Sequence, residues 1–337
     1  MLRRTSSLAL LLAAATAGPA SAWGGVGHTM ISRAGARAFP ATLPAFVRTD
    51  AAVDEIASLG PELDRSKDAG ATHDRDLDTG HYLDIGDDGK VFGVVDLSAL
   101  PATREAYDSA LRGAGSDEYK AGYLPYALID GWQQIAKDFA IWRIDDAALK
   151  SSSTQDRAWF TADRALRETL TLRDIGIWSH YVGDASQPLH ITVHFNGWGA
   201  YPNPNGYSQS HTLHADFETR FVDAHATLDA VTAAMAPVRP STAPIATLVG
   251  TYLAASASHV VPLYDLDKAG AFANATPDAV TFVDARLADG AAEFRDLVVD
   301  AWHASDTVKV GYPHAITPAD VESGTVMPTR ALAGAAD

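Results

Sequence analysis

The sequence predicts an all-α fold: a single-domain helical bundle with long loops and at most a small hairpin. Apolar residues recur at three-to-four spacing through several long segments. Alanine and leucine, both strong helix formers, are abundant in those segments. No linker-like low-complexity stretch, internal repeat or charge block divides the chain.

Residues 1–22 read as a signal peptide. Arg3 and Arg4 form a basic start, Leu8 to Ala15 an apolar centre, and Ala20-Ser21-Ala22 a small-residue cleavage site. The apolar run is short for a bilayer span, and no later stretch approaches roughly 20 apolar residues. An uncleaved membrane anchor is the alternative. The expected product is secreted or periplasmic, released between Ala22 and Trp23, with a domain over 23–307 and an irregular tail over 308–337.

Within the domain, Asp64 to Val95 is loop-like, with a possible hairpin around Asp87-Asp88-Gly89 between Tyr82-Leu83 and Val91-Phe92. Gly122 to Ile144 places Leu124, Leu128, Ile135, Phe139 and Trp142 on one helical face. Asp156 to Tyr181 does the same with Trp159, Leu166, Leu170, Leu172, Ile175 and Ile177. His214 to Met235, Ile245 to Leu263 and Pro277 to Trp302 are the remaining predicted helices, and Trp198 to Gln209 is a second long loop.

The chain carries 26 basic and 42 acidic residues, a net charge of −16 that becomes −18 once Arg3 and Arg4 are removed. So acidic a surface grips a long polyanion poorly, unless bound divalent cations offset it locally. There are no cysteines, which excludes thiolate metal sites, cysteine nucleophiles and disulfides. No G-x-S-x-G elbow suggests a covalent serine mechanism.

The chemistry concentrates in His180-Tyr-Val-Gly-Asp184-Ala-Ser-Gln-Pro-Leu-His190. His180 and Asp184 lie four apart, so one helix face presents both. Pro188 bends the chain and lets His190 turn back towards the same space. His214-Ala-Asp-Phe-Glu218 repeats the spacing with glutamate. A single such pair is ordinarily a surface ion pair. Two of them flanking a proline-bent histidine point to a metal of zinc-like preference, since imidazole and carboxylate suit zinc when thiolates are absent.

Trp23-Gly-Gly-Val-Gly-His28, Asp64, His81-Tyr-Leu-Asp84, His180…Asp184…His190 and His214…Glu218, taken in order, resemble the ligand series of the S1/P1 nuclease and zinc-dependent phospholipase C superfamily. The resemblance implies an α-helical fold around three zinc ions. By position, Asp64, His81, His180 and Asp184 would hold one. His190, His214 and Glu218 would hold a second. The α-amino and carbonyl groups of Trp23, with His28 and a bridging Asp184, would hold a third. The segment before Asp64 lacks the family's Trp-Ala pair, so Asp68 and Asp74 are rival ligands. Lys67 stands where the nucleases have an arginine paired with the position of Asp84, without the bidentate fork.

The implied reaction is in-line attack at phosphorus by a metal-bridged hydroxide, with Asp64 accepting a proton. Tyr82, Trp198 and Tyr201 would form an aromatic rim for a base or a choline headgroup. Glu218, the run from His214 to Asp223, the missing cysteines and the acidity favour a phospholipase C-like phosphodiesterase, making transient contact with a membrane surface. The short spacing from Trp23 to His28 and the His81-Tyr82-Leu83-Asp84 run favour a single-strand nuclease/3′-nucleotidase releasing 5′-nucleotides. The non-enzymatic alternative is a periplasmic zinc-binding or storage protein. His190, His214 and Glu218 form an open three-ligand set, which speaks for catalysis. No obligate protein partner is evident.

Overall fold

The computed structural model describes residues 23–67, 78–151 and 155–334; the expected signal peptide, Asp68, His73 and Asp74 lie outside them. The described chain is mostly helical, as the periodicity predicts. Its longer elements are α1 (Gly24–Arg37), α2 (Asp50–Leu59), β1 (Lys90–Val91), β2 (Val95–Asp96), α3 (Arg104–Gly113), α4 (Leu124–Lys150), α5 (Arg157–Ser186), α6 (Ile245–Ala257), α7 (Val260–Lys268) and α8 (Pro277–Ala304).

Helices α4 and α5 pack side by side and form the frame. Trp178 of α5 locks them by donating its indole N–H to the Leu128 carbonyl at 3.0 Å. Helices α1, α2 and α8 pack against α5 and bury Ile31, Ile56, Leu297 and Val298. Threonine N-caps fix the starts of α2, α3 and α8: Thr49, Thr103 and Thr276 accept from the backbone N–H three residues on. Helix α1 escaped the sequence prediction because it carries four glycines in 14 residues, which disfavours an isolated helix. Burial of one face against α5 and α8 stabilises it instead.

Four expectations change. The hairpin turns across Phe92–Val94, and its predicted form survives only as an isolated Ile85–Val91 bridge around Asp87-Asp88-Gly89. The predicted helix from His214 to Met235 is broken: a π-helical stretch spans Asp216–Phe221, and Thr227 caps a fresh helix, Leu228–Ala234. Ile245–Lys268 is, by length and composition, long and apolar enough to cross a membrane, contrary to expectation. A turn at Ser258 and His259 divides it into α6 and α7, and the inner face of α6 packs on α4 and α5. The tail is not merely irregular. Val310, Ile316 and Val321 pack on Ala140 and Ile144 of α4, and a short helix, Pro318–Glu322, brings Glu322 to Arg143 in a bidentate pair.

Candidate metal centre

Helix α5 ends at Ser186, and Pro188–His190 form a 3-10 turn, so the chain reverses where the proline predicts. That reversal places His190 beside the last turn of α5. Asp184, fully buried, becomes the hub of four histidines. Its oxygens lie 3.0 Å from His81 Nδ1, 3.5 Å from His28 Nε2, 3.5 Å from His180 Nε2 and 3.7 Å from His190 Nδ1. Glu218 lies 2.8 Å from His214 Nε2 and 3.7 Å from His190 Nε2. Asp64 lies 3.6 Å from His180 Nε2.

Three groups of side chains converge closely enough to hold an ion: Asp64 with His81 and His180; His190 with His214 and Glu218; and His28 with His180 and Asp184. The first two match the expected sets, with Asp184 beside the first. The third joins His28 and Asp184, both expected there, with His180. The Trp23 carbonyl accepts the first helical bond of α1, from Gly27 at 3.0 Å. The Trp23 side chain is buried, and its indole N–H, 2.9 Å from both the Gly183 carbonyl and Ser186 Oγ, ties the start of α1 to the end of α5.

The histidines are oriented from behind. Nδ1 of His180 meets the Gly60 carbonyl at 2.8 Å, Nδ1 of His190 the His81 carbonyl at 2.7 Å, and Nδ1 of His214 the Phe195 carbonyl at 2.8 Å. A carbonyl can only accept, so these contacts assign a proton to each Nδ1 and turn each Nε2 inward. Metal-ligating histidines are held in this way. Half of the fourteen buried side-chain atoms without a hydrogen-bond partner, among the described residues, belong to the expected ligands: both nitrogens of His28, both oxygens of Asp64, and single atoms of Asp184, His190 and Glu218. Unpaired buried polar groups each cost roughly 1–3 kcal/mol. Their concentration at one place makes a set of donors suited to a cation.

The electrostatics agree. Burial disfavours the Asp184 carboxylate, yet the four imidazoles around it outweigh that cost and hold Asp184 well below the usual carboxylate range. Burial lowers His180 further than Asp184 can restore, keeping it neutral with its lone pair available. Glu218 is also lowered: burial opposes its charge, but His214 and His190 prevail.

A cleft of about 410 Å³ opens over this cluster, lined among others by Lys67, Asp84, Lys120, His190, Phe195 and His214. Tyr82 also lines it, and its hydroxyl donates to the Tyr119 carbonyl at 3.0 Å. Three expectations about its rim need correction. Trp198 is 6% exposed and packs against His194, Tyr207 and Tyr264, so it cannot offer a face to a ligand. Tyr201 is exposed but does not line the cleft. Lys67 pairs with Asp64 at 3.4 Å rather than with Asp84. Without that counter-charge, burial pushes the Asp84 carboxyl up to about 7.

The sequence alone did not single out Gln187, Phe195 or Lys120. Gln187 Nε2 donates to Glu218 at 3.0 Å, while its Oε1 accepts from the Leu189 N–H. Its place between Asp184 and Pro188 was the available signal.

Two results follow from this geometry. A Cβ at Gly183 would lie 2.9 Å from His28 Nδ1, so Gly183→Ala should push His28 off the cluster. Divalent-metal affinity measured by chelator competition should fall about tenfold; unchanged affinity would show that His28 is not a ligand. The second concerns Asp84. Between about pH 4, the ordinary carboxylate value, and pH 7, the folded chain keeps a proton that the unfolded chain has released. This group's contribution to stability therefore declines as pH rises through that window. Denaturant unfolding of the metal-free protein should show wild type losing stability relative to Asp84→Asn from pH 4 to 7; parallel profiles would refute it.

No protein-family model matches the chain, and no curated protein matches it either.

Proposed function

We propose that the chain is an exported zinc-dependent phosphoric diester hydrolase of phospholipase C-like specificity. The observation that carries this reading is the inward convergence of the His180, His190 and His214 Nε2 atoms with Asp64, Asp184 and Glu218, each of those imidazoles held from behind by a backbone carbonyl. The donor set, nitrogen and carboxylate without sulfur, suits zinc. Asp64, His81, His180 and Asp184 would hold one ion, and His190, His214 and Glu218 a second. His28 and Asp184, with the Trp23 backbone after cleavage at Ala22-Trp23, would hold a third. Bound there, zinc would supply Lewis-acid stabilisation of charge developing on the phosphoryl oxygens.

The chain's own groups would do the rest. Lys67 and Lys120 bring positive charge to the cleft and would orient an anionic phosphodiester. Asp64, paired with Lys67, would accept a proton from the attacking water. Asp84, with its carboxyl raised towards neutrality, could return a proton to the leaving oxygen. Burial of the ligand side chains keeps bulk water from the cluster and strengthens each of these interactions.

The aromatic and acidic lining, Tyr82 and Phe195 with Asp78 and Asp84, suits a quaternary ammonium headgroup. One observation favours a second reading. Tyr82 and Phe195 enter the cleft from different segments, as stacking faces for a nucleobase would. Assays of the zinc-loaded chain beginning at Trp23, on phosphatidylcholine vesicles and on single-stranded DNA and RNA, separate the two. Diacylglycerol and phosphocholine are expected. Release of 5′-mononucleotides with intact lipid would select the nuclease, and hydrolysis of neither would overturn the proposal.

A further inference from the structure

Beside the metal cluster lies a histidine outside every expected ligand set. His194 is 2% exposed, and both of its ring nitrogens face acceptors: Nδ1 lies 2.9 Å from the Trp198 carbonyl, and Nε2 lies 2.8 Å from Asp87 Oδ1. A carbonyl and a carboxylate offer no proton. The ring therefore supplies whatever hydrogen bond is made at either contact, and it bridges the Asp87 turn to the Trp198 backbone. The ring lies parallel to Trp198, with centroids 3.7 Å apart and planes 13° apart, so stacking fixes its plane. Tyr201 meets it edge-on at 5.0 Å, and Tyr264 donates its hydroxyl to the His194 carbonyl at 2.6 Å.

The two residues after His194 orient a candidate ligand. The Phe195 carbonyl meets His214 Nδ1 at 2.8 Å, and Asn196 Oδ1 accepts the His214 backbone N–H at 3.3 Å. Asp87 sits on the turn between the bridged residues Ile85 and Val91, and Val193 N–H already donates to the Ile85 carbonyl at 3.1 Å. The His194–Asp87 contact is the side-chain closure of that junction.

We propose that His194 is a positioning residue: its ring, held between Asp87 and the Trp198 carbonyl, clasps the Asp87 turn to the loop after His194 and thereby fixes the backbone that aims His214. The consequence for His214 rests on the metal-site reading above, whereas the clasp itself does not.

The test uses the full mature chain. In the metal-free protein, the ¹⁵N shift of His194 Nε2 should move in Asp87→Ala while that of Nδ1, on the Trp198 carbonyl, stays. An unmoved Nε2 would overturn the clasp. Zinc affinity by chelator competition should fall about tenfold in His194→Gln and in Asp87→Ala, the scale on which outer-shell partners act. Asp87 is half exposed, so its variant guards against misfolding of the histidine variant. The double variant should also lose about tenfold, because both changes break one contact. A loss of about a hundredfold, or unchanged affinity in both single variants, would overturn the positioning role. A wild type that binds no zinc would remove the metal reading, while the nitrogen shifts would still decide the clasp.

Discussion

Asp184→Ala should lower phosphodiester turnover at least about 1000-fold, a loss of ~4 kcal/mol of transition-state stabilisation, and should lower bound zinc in step. The size of the effect comes from the hub geometry. Asp184 has carboxylate contacts with His28, His81, His180 and His190, so its removal disturbs all three converging groups. It also leaves buried imidazoles without the anion that faces them. Asp184→Asn separates shape from charge, since it preserves volume and should still lose most metal and turnover. Zinc content and rate near wild type in either variant would contradict the layout.

Removal of metal should act comparably on stability. Each site saturated at about 1000 times its dissociation constant contributes about 4 kcal/mol to the folded state. The chain has no disulfide to compensate. Chelation should therefore lower Tm by roughly 10–20 °C, at a few degrees or less per kcal/mol for a chain of this size, and zinc should restore it while magnesium does not. The buried atoms of His28, Asp64, Asp184, His190 and Glu218 give the reason, because without a cation they remain desolvated and without a hydrogen bond. A Tm indifferent to chelator would mean that the cluster is built to stand empty.

The parts of this site legible in the sequence are those governed by short-range geometry. His180 and Asp184 meet because four residues make about one helical turn, and His190 joins them because a proline cannot continue the helix. His214 and Glu218 were also found by spacing, although the helix around them proved to be broken by a π-turn. His28, Asp64 and His81 are different. Nothing local marks them, and only their order along the chain in a family-like series suggested that they belong together. The structure brings all three to α5 through α1 and through the segments either side of residues 68–77.

What stayed hidden depends on long-range packing. A loop tryptophan carries no mark of which way it faces, so Trp198 was placed on the rim when Tyr207 and Tyr264 in fact enclose it. Lys67 could reach either acid, and the short 3-10 turn over Leu63–Arg65 brings it back to Asp64. Phe195 and Lys120 reach the cleft from separate loops, and no spacing rule links them. Helix α1 was missed because its glycines, unfavourable in isolation, are where neighbouring elements approach. Gly35, for example, has Phe294 where a Cβ would lie, 2.5 Å away.

The central claim is that three ions sit on three named groups of side chains. Anomalous X-ray scattering at the zinc edge, from crystals of the mature chain grown with zinc, tests it most directly. Peaks are expected at Asp64/His81/His180, at His190/His214/Glu218 and at His28/Asp184 beside the Trp23 backbone. No peak among these residues, or zinc bound only at surface carboxylates, would contradict it.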